Sequence, residues 1–230
     1  EVLKQKSKYG QSTVSAEGGS ASGGKGKKIN LEFVSANPTG PLTMANGRGG
    51  FYGDVLANVL ENAGHIVTRE YYVNDAGNQV RLLGESILAE LGKMPSAENH
   101  YKGEYIKRLA VSVKRLVKKN NAEQVGKMAA EILLKEIKKS LKKAGIEHDK
   151  WFSENKNLRE NGEVEKLFDK LKKEGKIEEK DNAWWLGDGV VKKSDGEWTY
   201  FIVDLAYHYD KLVERKFDLA IDIWGADHHG

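Results

Sequence analysis

The sequence predicts an α/β fold with a parallel β-sheet that is interrupted by a long, largely helical segment. Three observations support this prediction. A strand–helix–strand pattern opens the chain, a helix–strand pattern closes it, and several helical patterns lie between. Parallel strands need a long crossover, usually a helix. We therefore expect strands from both ends of the chain to share one sheet.

The opening pattern is the clearest. Residues 29–35 form a short apolar strand, residues 46–63 a helix, and residues 66–73 a second strand. Gly64 is suited to end the helix, because glycine adopts the left-handed conformation common after helices. The apolar residues of the helix follow helical spacing and predict its packed face: Tyr52, Val55, Leu56, Val59, Leu60 and Ala63.

The middle of the chain is mostly helical. Its predicted elements are helices at 76–92, 101–118 and 122–144, an extended stretch at 151–153, a helix at 163–174, and short strands near 183–186, 190–193 and 198–203. The closing pattern is a helix at 204–214 and a buried strand at 217–224. No internal repeat is apparent.

Composition excludes several classes of protein. The chain has 230 residues and no cysteine, which excludes disulfides, thiol catalysis and cysteine-based zinc sites and fits a cytoplasmic protein. No run of eighteen apolar residues occurs, so no membrane span is expected. The sequence also shows no charged-then-apolar leader typical of secretion.

Positive charge is concentrated in one segment. Residues 101–145 hold thirteen Lys or Arg and four Glu, although the whole chain has a formal net charge of only +3. This segment is either a solvated helix face or a surface that meets the phosphates of a nucleic acid.

The loop after the first strand, Asn37-Pro38-Thr39-Gly40-Pro41, is the first candidate site. Ligands of parallel sheets bind beyond the carboxyl ends of the strands. We expect Asn46 to cap the next helix, whose N-terminus would then suit a phosphate. A purely structural turn is the alternative.

Two nucleotide-binding patterns fit less well. Gly47, Gly49 and Gly53 with Glu70 imitate a dinucleotide-binding loop, but the first glycine follows the strand too late. The Gly/Ser-rich segment 10–27, which we expect to be flexible, imitates a phosphate-binding loop but precedes a strand and lacks the Ser or Thr that should follow Lys25.

Three blocks, in this order, resemble the arginyl-tRNA synthetases, a family of class I aminoacyl-tRNA synthetases. They are "EFVSANPTGPLTMANGRGGFYGDVLANVLENAGHIVTREYYVNDAGNQ" from Glu32, "TYFIVDLAYHYDK" from Thr199, and "IDIWGADHHG" from Ile221. The likeness extends from about residue 28 onward and is looser through the helical segment.

The resemblance implies a Rossmann-type catalytic domain of an arginine--tRNA ligase, which activates L-arginine with ATP and Mg²⁺ and transfers it to tRNA(Arg). Thr43-Met44-Ala45-Asn46 falls where class I enzymes carry His-x-Gly-His, so Thr43 and Asn46 would be the catalytic residues. Both histidines and the glycine are replaced here, which leaves open a catalytically impaired, RNA-binding relative.

The resemblance also assigns binding residues. Those for arginine are Glu32, Asn37, Tyr200, Asp204 and His228. Those for ATP are Pro41, Leu42, Thr43, Asn46, Gly47, Gly225, Asp227 and His228. Each has a structural alternative: Asp204 would cap the predicted 204–214 helix, Tyr200 would be a core aromatic, and Glu32 a strand-edge acid. The basic residues expected to meet tRNA are Lys135, Lys138, Lys139, Lys142 and Lys143.

These residues suggest four regions. They are a Gly/Ser-rich remnant at 1–28, the first half of the catalytic domain at 29–92, a basic connective insertion at 93–195, and the start of the second half at 196–230. The family's lysine-rich ATP loop and its anticodon-binding domain are expected beyond residue 230, so we expect a piece of a longer protein with an incomplete sheet and no activity alone.

Other possibilities remain open at this point. His65, His100 and His148 are isolated and are expected at the surface or in packing. Asp227, His228 and His229 lack further ligands at metal spacing, so no metal site is assigned. We expect a monomer, and a dinucleotide-dependent oxidoreductase is the remaining alternative enzyme.

Overall fold

The computed structural model describes residues 26–115 and 121–225. The helices are α1 (Met44–Asn62), α2 (Asn78–Glu90), α3 (Glu104–Val113), α4 (Ala122–Lys143), α5 (Glu163–Lys173) and α6 (Tyr200–Tyr209). The strands are β1 (Lys28–Glu32), β2 (Ile66–Val73), β3 (Lys150–Ser153), β4 (Glu178–Lys180), β5 (Ala183–Leu186), β6 (Gly189–Lys192) and β7 (Leu219–Asp222). Two π-helical segments cover Asn155–Glu160 and Asp210–Glu214.

The main sheet has four strands in the order β3-β2-β1-β7. Its backbone hydrogen bonds show that β1 runs parallel to both of its neighbours. Between β1 and β2, the Ile66 amide donates to the Lys27 carbonyl and the Phe33 amide donates to the Glu70 carbonyl, so residue numbers rise in the same direction on both strands. Between β1 and β7, the Asp218 amide donates to Lys28 and the Ile223 amide donates to Glu32, in the same sense. The predicted α/β class with a parallel sheet from both ends of the chain is therefore confirmed.

By contact density, the described residues divide into two compact units. One comprises Leu31–Leu60, Thr68–Phe152 and residues 222–225, and we call it the helical unit. The other comprises residues 26–30, Glu61–Val67 and Ser153–Ile221, and we call it the hairpin unit. No helix in the described ranges is long and apolar enough to cross a membrane.

The core of the helical unit lies between α2, α3 and α4. Its buried residues include Leu83, Ile87, Leu109, Val125 and Leu133. Two glycines let α2 and α4 approach closely: a Cβ on Gly84 would lie 1.8 Å from the Ala122 carbonyl oxygen, and one on Gly126 would lie 1.9 Å from that of Val80.

Helix α1 packs mainly on its small residues, and the predicted apolar face was only partly right, because of its six residues only Leu56 and Leu60 are half-buried. Gly50, Gly53 and Ala57 are buried, and a Cβ on Gly53 would lie 2.2 Å from the Phe33 ring. Tyr52 is 63% exposed and Val55 and Val59 are also exposed. The helix lies so close to Phe33, the residue after β1, that its contacting positions must have small side chains. The spacing of apolar residues does not reveal this requirement.

The hairpin unit contains the second sheet, an antiparallel one in the order β4-β5-β6. The predicted strand at 198–203 was wrong, because α6 begins at Tyr200. The predicted helix at 204–214 therefore starts four residues earlier and ends in a π-helical turn. The Thr199 hydroxyl donates to the Val190 carbonyl at 2.6 Å, which holds the start of α6 against β6.

Candidate active site

Glu32 is the last residue of β1 and is only 4% exposed. Its backbone carbonyl accepts a hydrogen bond from the Ile223 amide at 2.9 Å, just past the end of β7. The acid therefore lies inside the sheet at the carboxyl end of its strand, which is the position expected of a ligand-binding residue in a parallel sheet. The alternative of a strand-edge acid does not fit, because β1 lies between β2 and β7 in the sheet.

The chain turns sharply after β1. Val34 and Ser35 have φ angles of 70° and 38°, both in the left-handed region. For a β-branched residue this conformation is an outlier. Such residues cost on the order of 1–3 kcal/mol each, persist only where surrounding contacts impose them, and cluster at functional sites.

Asn37 follows this turn and bonds to the start of α2. Its Nδ2 donates to Gln79 Oε1 at 2.6 Å. Because the amide nitrogen is turned toward Gln79, the Asn37 Oδ1 acceptor points elsewhere, and it makes no hydrogen bond in the described part of the chain. Asn37 is half-buried. Its oxygen is thus available to a donor-rich, cationic ligand.

Thr43 and Asn46 cap α1 together. The Asn46 Oδ1 atom accepts hydrogen bonds from the Thr43 amide at 2.9 Å and the Thr43 hydroxyl at 2.8 Å. The Asn46 amide points back to the Thr43 hydroxyl at 3.4 Å. This reciprocal pattern is a capping box.

The prediction that Asn46 is itself the N-cap was therefore wrong. Thr43 occupies that position, since its carbonyl accepts the first helical bond, from the Gly47 amide at 3.1 Å. Asn46 is the third helical residue. The side chains of Thr43 and Asn46, which the resemblance aligns with the signature histidines, are in direct contact.

The neighbouring residues assigned to ATP lie in the same segment. Pro41 is exposed, and Leu42 and Gly47 are half-buried. A Cβ on Gly47 would meet nothing within 4 Å, so the helix start is open on that side.

His148 belongs to a buried aromatic cluster beneath this loop. Its ring centroid lies 4.3 Å from that of Phe33, 5.4 Å from that of Tyr71 and 5.3 Å from that of Trp151. Its Nε2 lies 3.2 Å from the Phe33 carbonyl oxygen. Because a carbonyl only accepts, Nε2 carries the proton. Burial lowers the pKa of His148 to about 4, so the ring is neutral, and the expectation of a packing histidine holds here.

Tyr200 and Asp204 lie in the hairpin unit, on α6. Tyr200 is the first residue of the helix and is 63% exposed, so it is not a core aromatic. Asp204 lies within the helix rather than at its start, so the alternative of an N-cap was wrong; Thr199 precedes the helix. The Asp204 carboxylate lies 3.4 Å from His208 Nδ1. Both side chains lie on one face at a spacing of four residues.

Three of the assigned residues lie at the end of the chain. Gly225 is exposed. Asp227 and His228 lie outside the described residues, so their assignment to ATP and arginine stays a prediction. In the ranges 26–115 and 121–225, no group of three His, Asp or Glu side chains could hold a metal ion.

The basic residues expected to meet tRNA lie on the second half of α4. Lys135, Lys138, Lys139, Lys142 and Lys143 are all exposed. The Lys138 ammonium also lies 4.5 Å from the centroid of the Trp151 ring and makes a cation–π interaction with it. The remaining four give α4 a solvated, positively charged end.

Sequence comparison identifies relatives of the chain. Residues 11–229 match the family model of class I tRNA synthetases (R), catalytic domain. An arginine--tRNA ligase of Carboxydothermus hydrogenoformans is 43% identical over 100% of this chain and 43% of its own length. One from Aquifex aeolicus is 39% identical over 90% of this chain and 45% of its own length. The chain thus spans less than half the length of these curated relatives.

Solved structures agree. A Campylobacter jejuni protein described as an arginyl-tRNA synthetase superposes with a TM-score of 0.81 at 32% identity, over 100% of this chain and 52% of that chain. The Thermus thermophilus arginyl-tRNA synthetase superposes with a TM-score of 0.63 at 20% identity, over 82% of this chain and 36% of that chain, which shows the fold alone.

The parallel sheet and its helices are those of a class I aminoacyl-tRNA synthetase catalytic domain. Within that class, the chain belongs to the arginyl-tRNA synthetase family. The resemblance predicted from the sequence is confirmed.

Proposed function

We propose that a protein containing this chain activates L-arginine with ATP and transfers the arginyl group to the 3′ end of tRNA(Arg). One observation carries the proposal. A buried carboxylate, Glu32, and an available amide oxygen, Asn37, flank a strained turn that leads to the N-terminus of α1. Acceptors for a cation thus precede, along the chain, a helix N-terminus of the kind that suits phosphate.

The acceptors suit arginine in particular. A guanidinium presents a planar fork of donors and keeps its charge, so carboxylates and amide oxygens are its natural partners. We assign Glu32 and Asn37 to arginine binding, and the resemblance assigns Tyr200 and Asp204 of α6 to it as well. His228 is a further candidate. None of these groups needs to act as an acid or a base.

The start of α1 is assigned to ATP. Amides at a helix N-terminus and the positive end of its dipole favour phosphate oxygens. Thr43 and Asn46 would hydrogen-bond the triphosphate in place of the histidines found in other class I enzymes. Pro41, Leu42, Gly47, Gly225, Asp227 and His228 complete the proposed ATP site. Mg²⁺ arrives with ATP, and we assign it no ligands from this chain.

The chemistry then consists of two transfers. The arginine carboxylate attacks the α-phosphorus of ATP, pyrophosphate leaves, and arginyl-adenylate forms. A ribose hydroxyl at the 3′ end of tRNA next attacks the adenylate carbonyl, and AMP leaves. The protein contributes orientation and charge stabilisation, which can supply several kcal/mol at each step.

The basic end of α4 is assigned to tRNA. Lys135, Lys139, Lys142 and Lys143 lie within nine residues on one helix and are exposed. Clustered positive charge binds phosphates through release of counterions. We accordingly keep the division of the chain in which residues 93–195 form a connective insertion between the two halves of the catalytic domain.

Charging of tRNA(Arg) tests the proposal. The full-length protein that carries this segment should attach radiolabelled arginine to tRNA(Arg), and Asn37→Ala should lower the rate at subsaturating arginine by roughly tenfold or more. Tight binding of tRNA without charging would instead favour the catalytically impaired, RNA-binding relative, for which the replaced signature histidines are the supporting observation. Absence of both would reject the proposal.

A further inference from the structure

The strained turn after β1 needs an external restraint. Val34 and Ser35 both adopt the left-handed conformation, which glycine adopts freely and valine resists. The Ser35 amide closes the turn locally by donating to the Phe33 carbonyl at 3.0 Å. Contacts from elsewhere in the helical unit are still needed to hold so strained a conformation.

Three hydrogen bonds from residues distant in the sequence hold the turn, at Phe33, Ser35 and Ala36. His148 Nε2 donates to the Phe33 carbonyl at 3.2 Å. The Tyr72 amide donates to the Ser35 hydroxyl at 3.0 Å. The Tyr71 hydroxyl donates to the Ala36 carbonyl at 2.7 Å. The shortest of the three lies directly before Asn37.

Tyr71 is also the most deeply buried of the three anchoring residues. Its side chain is fully buried, and its ring stacks on that of Trp151 with centroids 4.3 Å apart and an angle of 21°. Its edge contacts the His148 ring. The ring thus packs against aromatic neighbours on two sides, and its hydroxyl bonds to the Ala36 carbonyl from this packed position. Burial raises the pKa of Tyr71 far above its usual value, and the hydroxyl therefore remains a donor.

We propose that Tyr71 is a positioning residue for arginine: its hydroxyl fixes Ala36, and so holds the Asn37 amide in the orientation that receives the substrate. Gln79 secures the same amide from its other side through the 2.6 Å bond to Nδ2. This inference rests on the proposed function, because it assigns Asn37 to the arginine pocket. Tyr71 itself touches no substrate.

The test is Tyr71→Phe in the full-length protein, measured by arginine-dependent ATP–pyrophosphate exchange with tRNA(Arg) present. The substitution keeps the ring stack and removes one hydrogen bond. We expect the KM for arginine to rise about 3- to 10-fold. The KM for ATP and kcat should change less than about twofold, because Asn37 binds arginine equally in the ground state and the transition state.

Tyr72→Phe is the matched control. Tyr72 stacks on Phe152, with ring centroids 6.0 Å apart, and it holds Ser35 through its backbone amide, which the substitution keeps. An unchanged KM for arginine in Tyr71→Phe, or an equal rise in Tyr72→Phe, would overturn the inference while leaving the proposed function intact. No exchange by the parent protein would reject the proposed function itself.

A second variant keeps the inference testable if Tyr71→Phe does not fold. Ser35→Ala removes the acceptor of the Tyr72 amide and loosens the same turn without touching the aromatic cluster. It should raise the KM for arginine in the same direction, with the KM for ATP held within about twofold. No change in Ser35→Ala would mean that the turn does not position Asn37.

Discussion

The capping box of α1 gives a prediction in which stability and ligand affinity move in opposite directions. Asn46 Oδ1 accepts two hydrogen bonds from Thr43, at 2.9 and 2.8 Å. Asn46→Asp keeps an acceptor oxygen at this place and adds a negative charge at the N-terminus of α1. The helix dipole should favour that charge by about 0.3–1 kcal/mol. The free energy of unfolding of the variant should therefore rise slightly or stay level.

The same charge should oppose a triphosphate. At a separation of about 6 Å and an effective dielectric constant of about 20, two like charges repel by roughly 3 kcal/mol, which salt and solvent reduce. We expect ATP to bind roughly 10- to 100-fold more weakly to Asn46→Asp. Asn46→Ala is the neutral comparison: it should lose on the order of 1 kcal/mol of stability through the broken cap.

Two assays separate these effects. Urea unfolding followed by circular dichroism gives the stability of each variant, and calorimetric titration of ATP–Mg²⁺ into the full-length protein gives its affinity. If Asn46→Asp binds ATP as tightly as the parent, Asn46 only caps the helix. If Asn46→Ala instead loses no stability, the reciprocal bonds with Thr43 do not stabilise α1, and the reasoning from the capping box is refuted.

Four further predictions concern packing, pH, arginine and tRNA. In urea unfolding, Gly84→Ala or Gly126→Ala should lower the free energy of unfolding by about 1–3 kcal/mol or more, because the new Cβ would meet a carbonyl oxygen. Gly49→Ala should instead raise the free energy of unfolding by up to about 1 kcal/mol, because a Cβ there would meet nothing within 4 Å. Burial lowers the pKa of His148 to about 4, whereas the unfolded chain should titrate near about 6.5. The contribution of the neutral, buried ring to the free energy of unfolding is therefore complete above about pH 6.5 and is lost as the pH falls toward 4. Over that pH range the free energy of unfolding of a His148→Phe variant should fall by roughly 2–3 kcal/mol less than that of the parent. Asp204→Asn should weaken arginine binding about tenfold or more by calorimetry, with little change in helix content because Asp204 is not the cap of α6; equal affinity would remove Asp204 from the pocket. Neutralising Lys135, Lys139, Lys142 and Lys143 to Gln should flatten the salt dependence of tRNA binding by about 0.9 in slope for each duplex phosphate that α4 no longer neutralises, while an unchanged slope would leave α4 a solvated face.

Regular elements were predictable where local pattern and tertiary packing agree. Strand β2 lies at residues 66–73 as expected, because its β-branched and aromatic residues are bounded by Gly64 and Asn74. Strand β5 lies at 183–186 as expected. The sequence "TYFIV" after Trp198 is equally strand-like, yet it starts α6. Its Phe201 ring would lie 2.4 Å from a Cβ on Gly189, a contact that separation along the chain conceals.

The candidate site was predictable only in part, and mainly through the resemblance. It directed attention to Glu32 and Asn37, and the structure adds that one is buried and the other is bonded to Gln79. The roles of Tyr71 and His148 were missed. Their bonds join residues 35 and 115 positions apart, and His148 carries no motif of its own. The strand predicted at residues 66–73 contains Tyr71, but a strand pattern cannot show that the Tyr71 hydroxyl meets the Ala36 carbonyl.

The measurement that tests the central claim most directly is ATP–pyrophosphate exchange by the full-length protein with tRNA(Arg), comparing arginine with citrulline. Citrulline has nearly the shape of arginine but no charge, so it would leave a desolvated carboxylate without its cation, at a cost of about 2–5 kcal/mol. The account predicts exchange with arginine and a kcat/KM for citrulline lower by tens- to thousands-fold. Equal exchange with both amino acids, or no exchange with arginine, would contradict it.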